Sequence, residues 1–220
     1  VKEIYDKVNE LKQQEGYRSV NQFEEFGNYR FHYGVTAEAA LEATRDLNSH
    51  GVGNGRVAAF VSAMGSSGTI GAGDRLKQVD GGAIVGLEPI QCPTLYNVGF
   101  GGHRIEGIGD KHVTWIHNVH NMDFLMCVDD QACLEALSLV QEGGALLTEM
   151  GVPSDEAEPL LGTFGVSGMC NVLGAIKTAK TLNLGADDVV VTVATDGFDR
   201  YPSVLANLAE QTTPLSRDLA

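Results

Sequence analysis

Residues 62–77 read SAMGSSGTIGAGDRLK, with four glycines, two adjacent serines and a threonine between an apolar run and a helix-like run. Glycine in an element interior costs about 0.5–1 kcal/mol relative to alanine, so this loop must hold something in return. A loop that leaves a buried strand and enters a helix presents unpaired N–H groups at the positive end of the helix dipole, which is an anion site. Ser66, Ser67 and Thr69 add hydroxyl donors, while Gly65 and Gly68 let the backbone turn tightly and approach a bulky ligand. The loop lacks the Gly-Lys-Ser/Thr of a nucleotide-triphosphate loop, because Ile70 follows Gly68-Thr69 and no lysine occurs before Lys77. Its spacing, Gly65-x-x-Gly68-x-x-Gly71-x-Gly73, is not the dinucleotide pattern either. A terminal phosphate monoester held by N–H groups and hydroxyls fits these residues, with tight helix–strand packing as the alternative.

Other chemistry-bearing residues carry weaker signals. His112, His117 and His120 cluster in KHVTWIHNVH, with His103 upstream. His117 and His120 have helical ligand spacing, but the glycines and β-branched residues around them disfavour a helix, so a structural role is expected rather than a metal. GVSG is one residue too short for a nucleophile elbow. Cys92, Cys127, Cys133 and Cys170 form no C-x-x-C pair, which suggests buried thiols in a reducing, cytoplasmic compartment. Asp187 and Asp188 read as surface residues at a strand entry, and the acidic pair in NQFEEF as a solvated loop edge.

The elements that must position the loop follow from periodicity. KEIYDKVNELKQQE places Ile4, Val8 and Leu11 on one helical face. Thr36 reads as the N-cap of a second helix, AEAALEATRDLNSH, closed by Gly51. RVAAFVSAMG reads as a buried strand and TIGAGDRLKQ as the helix behind the loop. GAIVGLEP and FLMCV are strand-like, and Asp129 or Asp130 can cap DDQACLEALSLVQ. GTFGVSGMCNVLGAIKTAKTL is a second glycine loop feeding a helix. DVVVTVATDG reads as a strand covered on both faces, and YPSVLANLAEQ as a last helix before a frayed tail. Alternating strands and helices predict an α/β fold with an open, mostly parallel sheet and helices on both faces. The glycines then fall at the sheet edge where such folds bind ligands.

Composition bounds the partners. The 220 residues carry 15 Lys+Arg against 29 Asp+Glu, a formal charge of −14. That balance argues against nucleic acid, which needs clustered cations to displace counterions, and against an anionic membrane surface. The most apolar segment, Leu160 to Ile176, is interrupted by Gly, Ser, Thr and Asn, so no bilayer span is expected. The start lacks the basic, apolar and small-residue succession of a secretory leader.

Five stretches in order, spanning residues 21–201, resemble the fold-type II pyridoxal-phosphate enzymes, the cysteine synthase and tryptophan synthase β superfamily. NQFEEFGNYRFHYGVTAEA looks like its Asn-Gln-Phe segment, and GSSGTIGAGDRLK like its Gly-Thr-Gly-Gly-Thr phosphate loop, with Ser66 and Ser67 replacing Thr and Gly. IEGIGDKHV is similar to its Ile-Gln-Gly-Ile-Gly turn, FGVSGMCNVLGAIKTAK to its Gly-Ile-Ser-Ser-Gly loop and helix, and VVVTVATDGFDRY to its last strand and turn. The resemblance implies the large domain of such an enzyme, in incomplete form. Residues 1–50 would be a helical segment and remnant leading from the small domain, and 51–220 the phosphate-binding domain. It implies pyridoxal 5'-phosphate as cofactor, amino-acid metabolism as the setting, and lyase or transferase chemistry by β-elimination or β-replacement on an amino-acid substrate. Gly65, Ser66, Ser67, Gly68 and Thr69 would cradle the phosphate, Gly107 and Gly109 would line the pocket, and Gln22 would help hold the substrate carboxylate. Where the family offers a Ser or Thr hydroxyl to the pyridine nitrogen, this chain has Gly197, leaving Asp196, a water or a shifted backbone to replace it.

The family's Schiff-base lysine, in a Ser-x-Lys-Asp/Asn-Arg context upstream of the phosphate loop, has no counterpart here, nor has its Ser/Thr-Gly-Asn-Thr/His-Gly substrate loop. Lys2, Lys7 and Lys12 read as a solvated helix face, Lys77, Lys177 and Lys180 as helix C-terminal halves, and Lys111 alone lies near the pocket. The expectation is therefore a C-terminal fragment, inactive without a companion chain or N-terminal half that carries the lysine, with a homodimer as a further association. The alternative is a non-catalytic protein that binds the cofactor or another phosphorylated ligand. Substrate and leaving group are not legible in the residues.

Overall fold

The apolar run Val57–Ala63 is β1, an inner strand of a four-stranded parallel sheet in a computed structural model that describes residues 2–210. Its chain neighbour β2 (Ala83–Pro89) pairs with it from Ala59↔Ala83 to Ala63↔Leu87. Strand β3 (Phe124–Val128) adds to the far edge of β2, and β4 (Val189–Val191) to the opposite flank of β1. The order β3-β2-β1-β4 therefore reverses at β1. Such a reversal leaves a crevice at the carboxyl ends of the two diverging strands.

Helices cover both faces, as an α/β fold requires. On one face, α6 (Asp130–Glu142) and α9 (Val166–Thr181) bury Leu134, Leu137, Met169 and Cys170 against Val61, Val85, Leu87 and Met126. On the other, α3 (Ala37–Ser49) and α4 (Gly71–Asp80) bury Ala37, Leu41, Ala72 and Leu76 against Val57 and Phe60. Helix α4 stops at Gly81, whose φ of 78° is the left-handed closure that glycine adopts without steric cost. Asp129 caps α6, its Oδ1 accepting from the N–H groups of Gln131 and Ala132. All four cysteines are free; Cys92, Cys133 and Cys170 are buried and Cys127 is partly so. Burial pushes the Cys170 thiol up to about 12, which leaves it an apolar filler rather than a nucleophile.

Two elements differ from expectation. Thr36 does not open a helix: α2 (Phe26–Phe31) runs through a wider turn at His32–Thr36 straight into α3, and Thr36 is itself helical. Its hydroxyl lies 2.9 Å from His32 Nδ1 instead of capping N–H groups, because the preceding turn already supplies their carbonyl partners. The valine-rich DVVVTVATDG pairs only over Val189–Val191, on an outer flank and partly exposed. Beyond Val191, side chains replace the ladder. Thr192 Oγ1 donates to the Val61 carbonyl at 2.7 Å, and Asn171 accepts from the Ala63 N–H and donates to the Val193 carbonyl. This substitution separates the ends of β1 and β4. The expected tail after residue 210 lies outside the described residues. Among these, no helix is long and apolar enough to cross a membrane.

Candidate functional site

The glycine loop sits in the crevice between β1 and β4 and forms the floor of a cavity of about 460 Å³. The N–H groups of Ser66, Ser67 and Thr69 donate to no acceptor among the described residues, nor do the hydroxyls of Ser67 and Thr69. They lie at the start of α4, where its dipole adds positive potential. Ser66 is placed differently. Its Oγ accepts from Asn28 Nδ2 at 2.9 Å, and the same amide donates to the Gln22 carbonyl at 3.0 Å. Asn28 thereby staples the N-terminal segment to the loop and brings Gln22 and Phe23 to the cavity wall.

Of the residues singled out in the sequence, Gln22, Gly65, Ser66, Ser67, Thr69, Gly107 and Asp196 line this cavity. Gly68, Gly109 and Gly197 do not. A side chain at Gly68 would strike the Asn28 amide, and one at Gly109 the ring of His103, so close approach of neighbouring side chains accounts for both glycines. Gly197 is extended and packs on the Gly162 carbonyl. Gly107, with φ of 86°, occupies the left-handed region beside the cavity.

Asp196 is held rigidly. Tyr201 donates to its Oδ2 at 2.7 Å and Thr195 to its Oδ1 at 3.3 Å, while Thr195 shares a 2.6 Å hydrogen bond with Ser167. Burial, with the Asp196 hydrogen bond and charge, pushes the Tyr201 phenol up to about 12. Sequence reading missed Ser62, Glu106, Asp110, Ser167, Asn171, Thr195 and Tyr201, all of which line the cavity. The second glycine loop was legible as a loop, yet its Ser167 and Asn171 reach the site only because α9 enters the crevice beside β4. Asp110 is half-buried, and burial raises its carboxyl above the ordinary range while His112 pulls it down.

Among the described residues, no lysine, arginine or histidine lines the cavity. Lys111 stands 6.0 Å over the Phe100 ring, and Lys77 is drawn to Asp123 at 2.7 Å on the opposite end of α4. Three carboxylate side chains, Glu106, Asp110 and Asp196, share the wall with the amide-rich floor. Among the described residues no group of three His, Cys, Asp or Glu side chains gathers to hold a metal.

The chain is similar along most of its length to known proteins. Cysteine synthase B of Campylobacter jejuni is 29% identical over 206 residues, covering 92% of this chain and 59% of that protein. A Staphylococcus aureus cysteine synthase is 27% identical over 199 residues, covering 90% of this chain. This chain's homologues are cysteine synthases and related fold-type II pyridoxal-phosphate enzymes. Two solved structures match over 98% of the chain at 26% identity: O-acetylserine sulfhydrylase isoform 3 of Entamoeba histolytica, with a TM-score of 0.73, and a hydrogen sulfide-producing enzyme of Fusobacterium nucleatum, with 0.71. No family model matches. The chain spans 59% and 56% of the length of the two curated relatives, and 57% of each solved chain.

Proposed function

We propose that these residues form the cofactor cradle of a cysteine synthase-like, pyridoxal-phosphate-dependent amino-acid lyase or transferase. The observation that carries this reading is the set of unengaged N–H groups of Ser66, Ser67 and Thr69 and hydroxyls of Ser67 and Thr69, at a helix N-terminus and with no cation among the cavity's described lining residues. A phosphate monoester satisfies such donors, and removing it from water is offset by charge-assisted hydrogen bonds. When bound, pyridoxal 5'-phosphate supplies the electron sink that stabilises a carbanion beside an amino acid's carboxylate.

The chain's own residues divide the remaining work. Asp196, fixed by Tyr201 and Thr195, is the carboxylate these residues offer the ring nitrogen in place of the hydroxyl lost at Gly197. Gln22 is the amide placed to receive a substrate carboxylate, held at the wall through Asn28. Asp110 keeps its proton to higher pH than an exposed aspartate and can pass it within the cavity. The cofactor-holding lysine would come from outside these 220 residues, from a companion chain or a joined segment, because none lines the cavity. The chain alone is then expected to bind the cofactor without turning over amino acids. The same lack of a lysine favours a second reading, a non-catalytic protein that binds the cofactor or another phosphorylated ligand.

Calorimetric titration tests the cradle. Inorganic phosphate should compete with pyridoxal 5'-phosphate, and Thr69→Ala should weaken both about tenfold, the loss of a hydrogen bond to a charged group. Asp196→Asn should weaken the cofactor alone. Cofactor binding indifferent to inorganic phosphate would overturn the reading. Turnover of O-acetylserine that appears on mixing with a lysine-bearing N-terminal half of a cysteine synthase supports the enzyme. Binding without turnover in that mixture supports the second reading.

A further inference from the structure

Behind the phosphate loop, two energetic costs fall on the same small cavities. Ser67 holds a φ of 63°, the left-handed region, where the resembled loop carries glycine. That conformation costs a side-chain-bearing residue about 1–2 kcal/mol. Ser67 is only 7% exposed, and its hydroxyl makes no hydrogen bond among the described residues. The second cost is at His117, whose Nε2 is buried without a partner. An orphaned buried polar atom costs about 1–3 kcal/mol.

The two residues border the same spaces. Ser67 lines the large cavity and also two small ones behind it, of about 10 and 20 Å³, and His117 lines both of the small ones. Volumes of that size, with polar side chains among their mixed walls, each suit about one ordered water. The wall beyond is a buried carboxylate network. Asp74 on α4 accepts from Tyr29 at 2.5 Å, from Asn118 at 3.0 Å and from Asn121 at 2.5 Å. Those bonds fix Asp74 as a stationary negative charge beside the imidazole. The other titratable groups facing these spaces are Tyr29 from α2, Glu88 from β2, and Asp110 and His112 from the segment after Gly109.

We propose, on the reading of the loop as a phosphate cradle, that Ser67 and His117 are positioning residues for the bound phosphate. The Ser67 hydroxyl donates to a phosphate oxygen and accepts, directly or through one internal water, from His117, which takes up a proton from solvent as the dianion binds. The strained serine and the orphaned imidazole are thus completed only in the bound state. Burial keeps the free imidazole below its ordinary value while Asp74 pulls it upward, so the free chain at neutral pH holds His117 neutral. A dianion in the cradle adds a second negative charge on the same side. Phosphate affinity in the parent should therefore gain, relative to a variant without the imidazole, as pH falls from 8 toward the free value, and level off below it.

The test uses the 220-residue chain, inorganic phosphate and pyridoxal 5'-phosphate as probes, and NMR of the His117 ring nitrogens and the Gly68 and Thr69 amides. Saturating phosphate is expected to shift both amides and to move the His117 titration upward by at least half a unit. Ser67→Gly should raise the melting temperature of the free chain, weaken both ligands about three- to tenfold, and remove most of the His117 shift. His117→Gln and His117→Leu should abolish the affinity that the parent gains as pH falls, leaving a profile flat across that range. Amide shifts without movement of His117, or a His117→Gln pH profile identical to the parent's, would overturn the proposal and leave the cradle standing. Absence of the amide shifts themselves overturns the phosphate reading and this inference with it.

Discussion

Asn171 shows how one side chain can open a site. Its amide bridges the Ala63 N–H at 2.7 Å and the Val193 carbonyl at 2.8 Å, taking the place of the β1–β4 ladder just where the crevice begins. The residue is 2% exposed, so neither partner can turn to water once the amide is lost. Asn171→Leu should destabilise the chain by about 2–4 kcal/mol in urea unfolding, one unsatisfied backbone group on each strand. It should also weaken pyridoxal 5'-phosphate at least tenfold, because the strand ends are free to close. An unchanged unfolding midpoint would show that the strand ends hold their separation without this bridge. Asp110 acts at the same scale. Its raised carboxyl predicts that Asp110→Asn, in a reconstituted enzyme, removes a titration lying above the ordinary aspartate range from the rate profile.

At the scale of elements, the helices are fixed by their ends. Asp129 Oδ1 accepts two N–H groups at the start of α6, and Asp129→Ala should cost about 1 kcal/mol. Backbone hydrogen bonding, from Ala132 above all, lowers the Asp129 carboxyl. The capping contribution is therefore full above the ordinary carboxyl range and disappears as pH falls through the lowered folded-state value. The parent and Asp129→Ala curves of stability against pH should converge in acid and separate toward neutrality; a constant offset contradicts the cap. The junction of α4 and β2 is tighter. A side chain at Gly82 would strike the Val57 carbonyl, a backbone atom that cannot move without shifting β1. Gly82→Ala should cost about 1–3 kcal/mol, read as a lowered midpoint with an unchanged slope in urea.

For the whole molecule, burial is uneven. The sheet core is closed on both faces, yet Tyr96, Val98, Phe100 and Trp115 are 70%, 92%, 71% and 81% exposed. Trp115 sits at the cavity's side of the molecule, its backbone N–H donating to the Phe23 carbonyl at 3.0 Å. It is the chain's one tryptophan, so its emission reports on that side alone. Docking of a lysine-bearing half over the cavity should shift that emission to shorter wavelength and reduce binding of an apolar dye. A spectrum unmoved when turnover appears would place the companion elsewhere.

The residues themselves determined the α/β class, the order of strands and helices, the α6 cap and the loop at Gly65–Thr69, because each depends on local periodicity or on one turn's chemistry. Resemblance in five ordered stretches narrowed the ligand. Position within the crevice was not local. Thr36 has the residue type of a cap but lies inside a helix, since capping depends on where the chain enters. The valines of DVVVTVATDG read as a covered strand, whereas pairing with β1 ends at Val191, which only the neighbouring strand's path decides. Asn28, Asn171, Thr195 and Tyr201 lie within stretches that carry the resemblance, but their residue types and spacing assign them no role. They enter the site through contacts between elements far apart in the chain, as do Ser67 and His117 behind it. Such contacts depend on how strands diverge and helices tilt, and that is settled by packing of the whole core rather than by any segment's own preference.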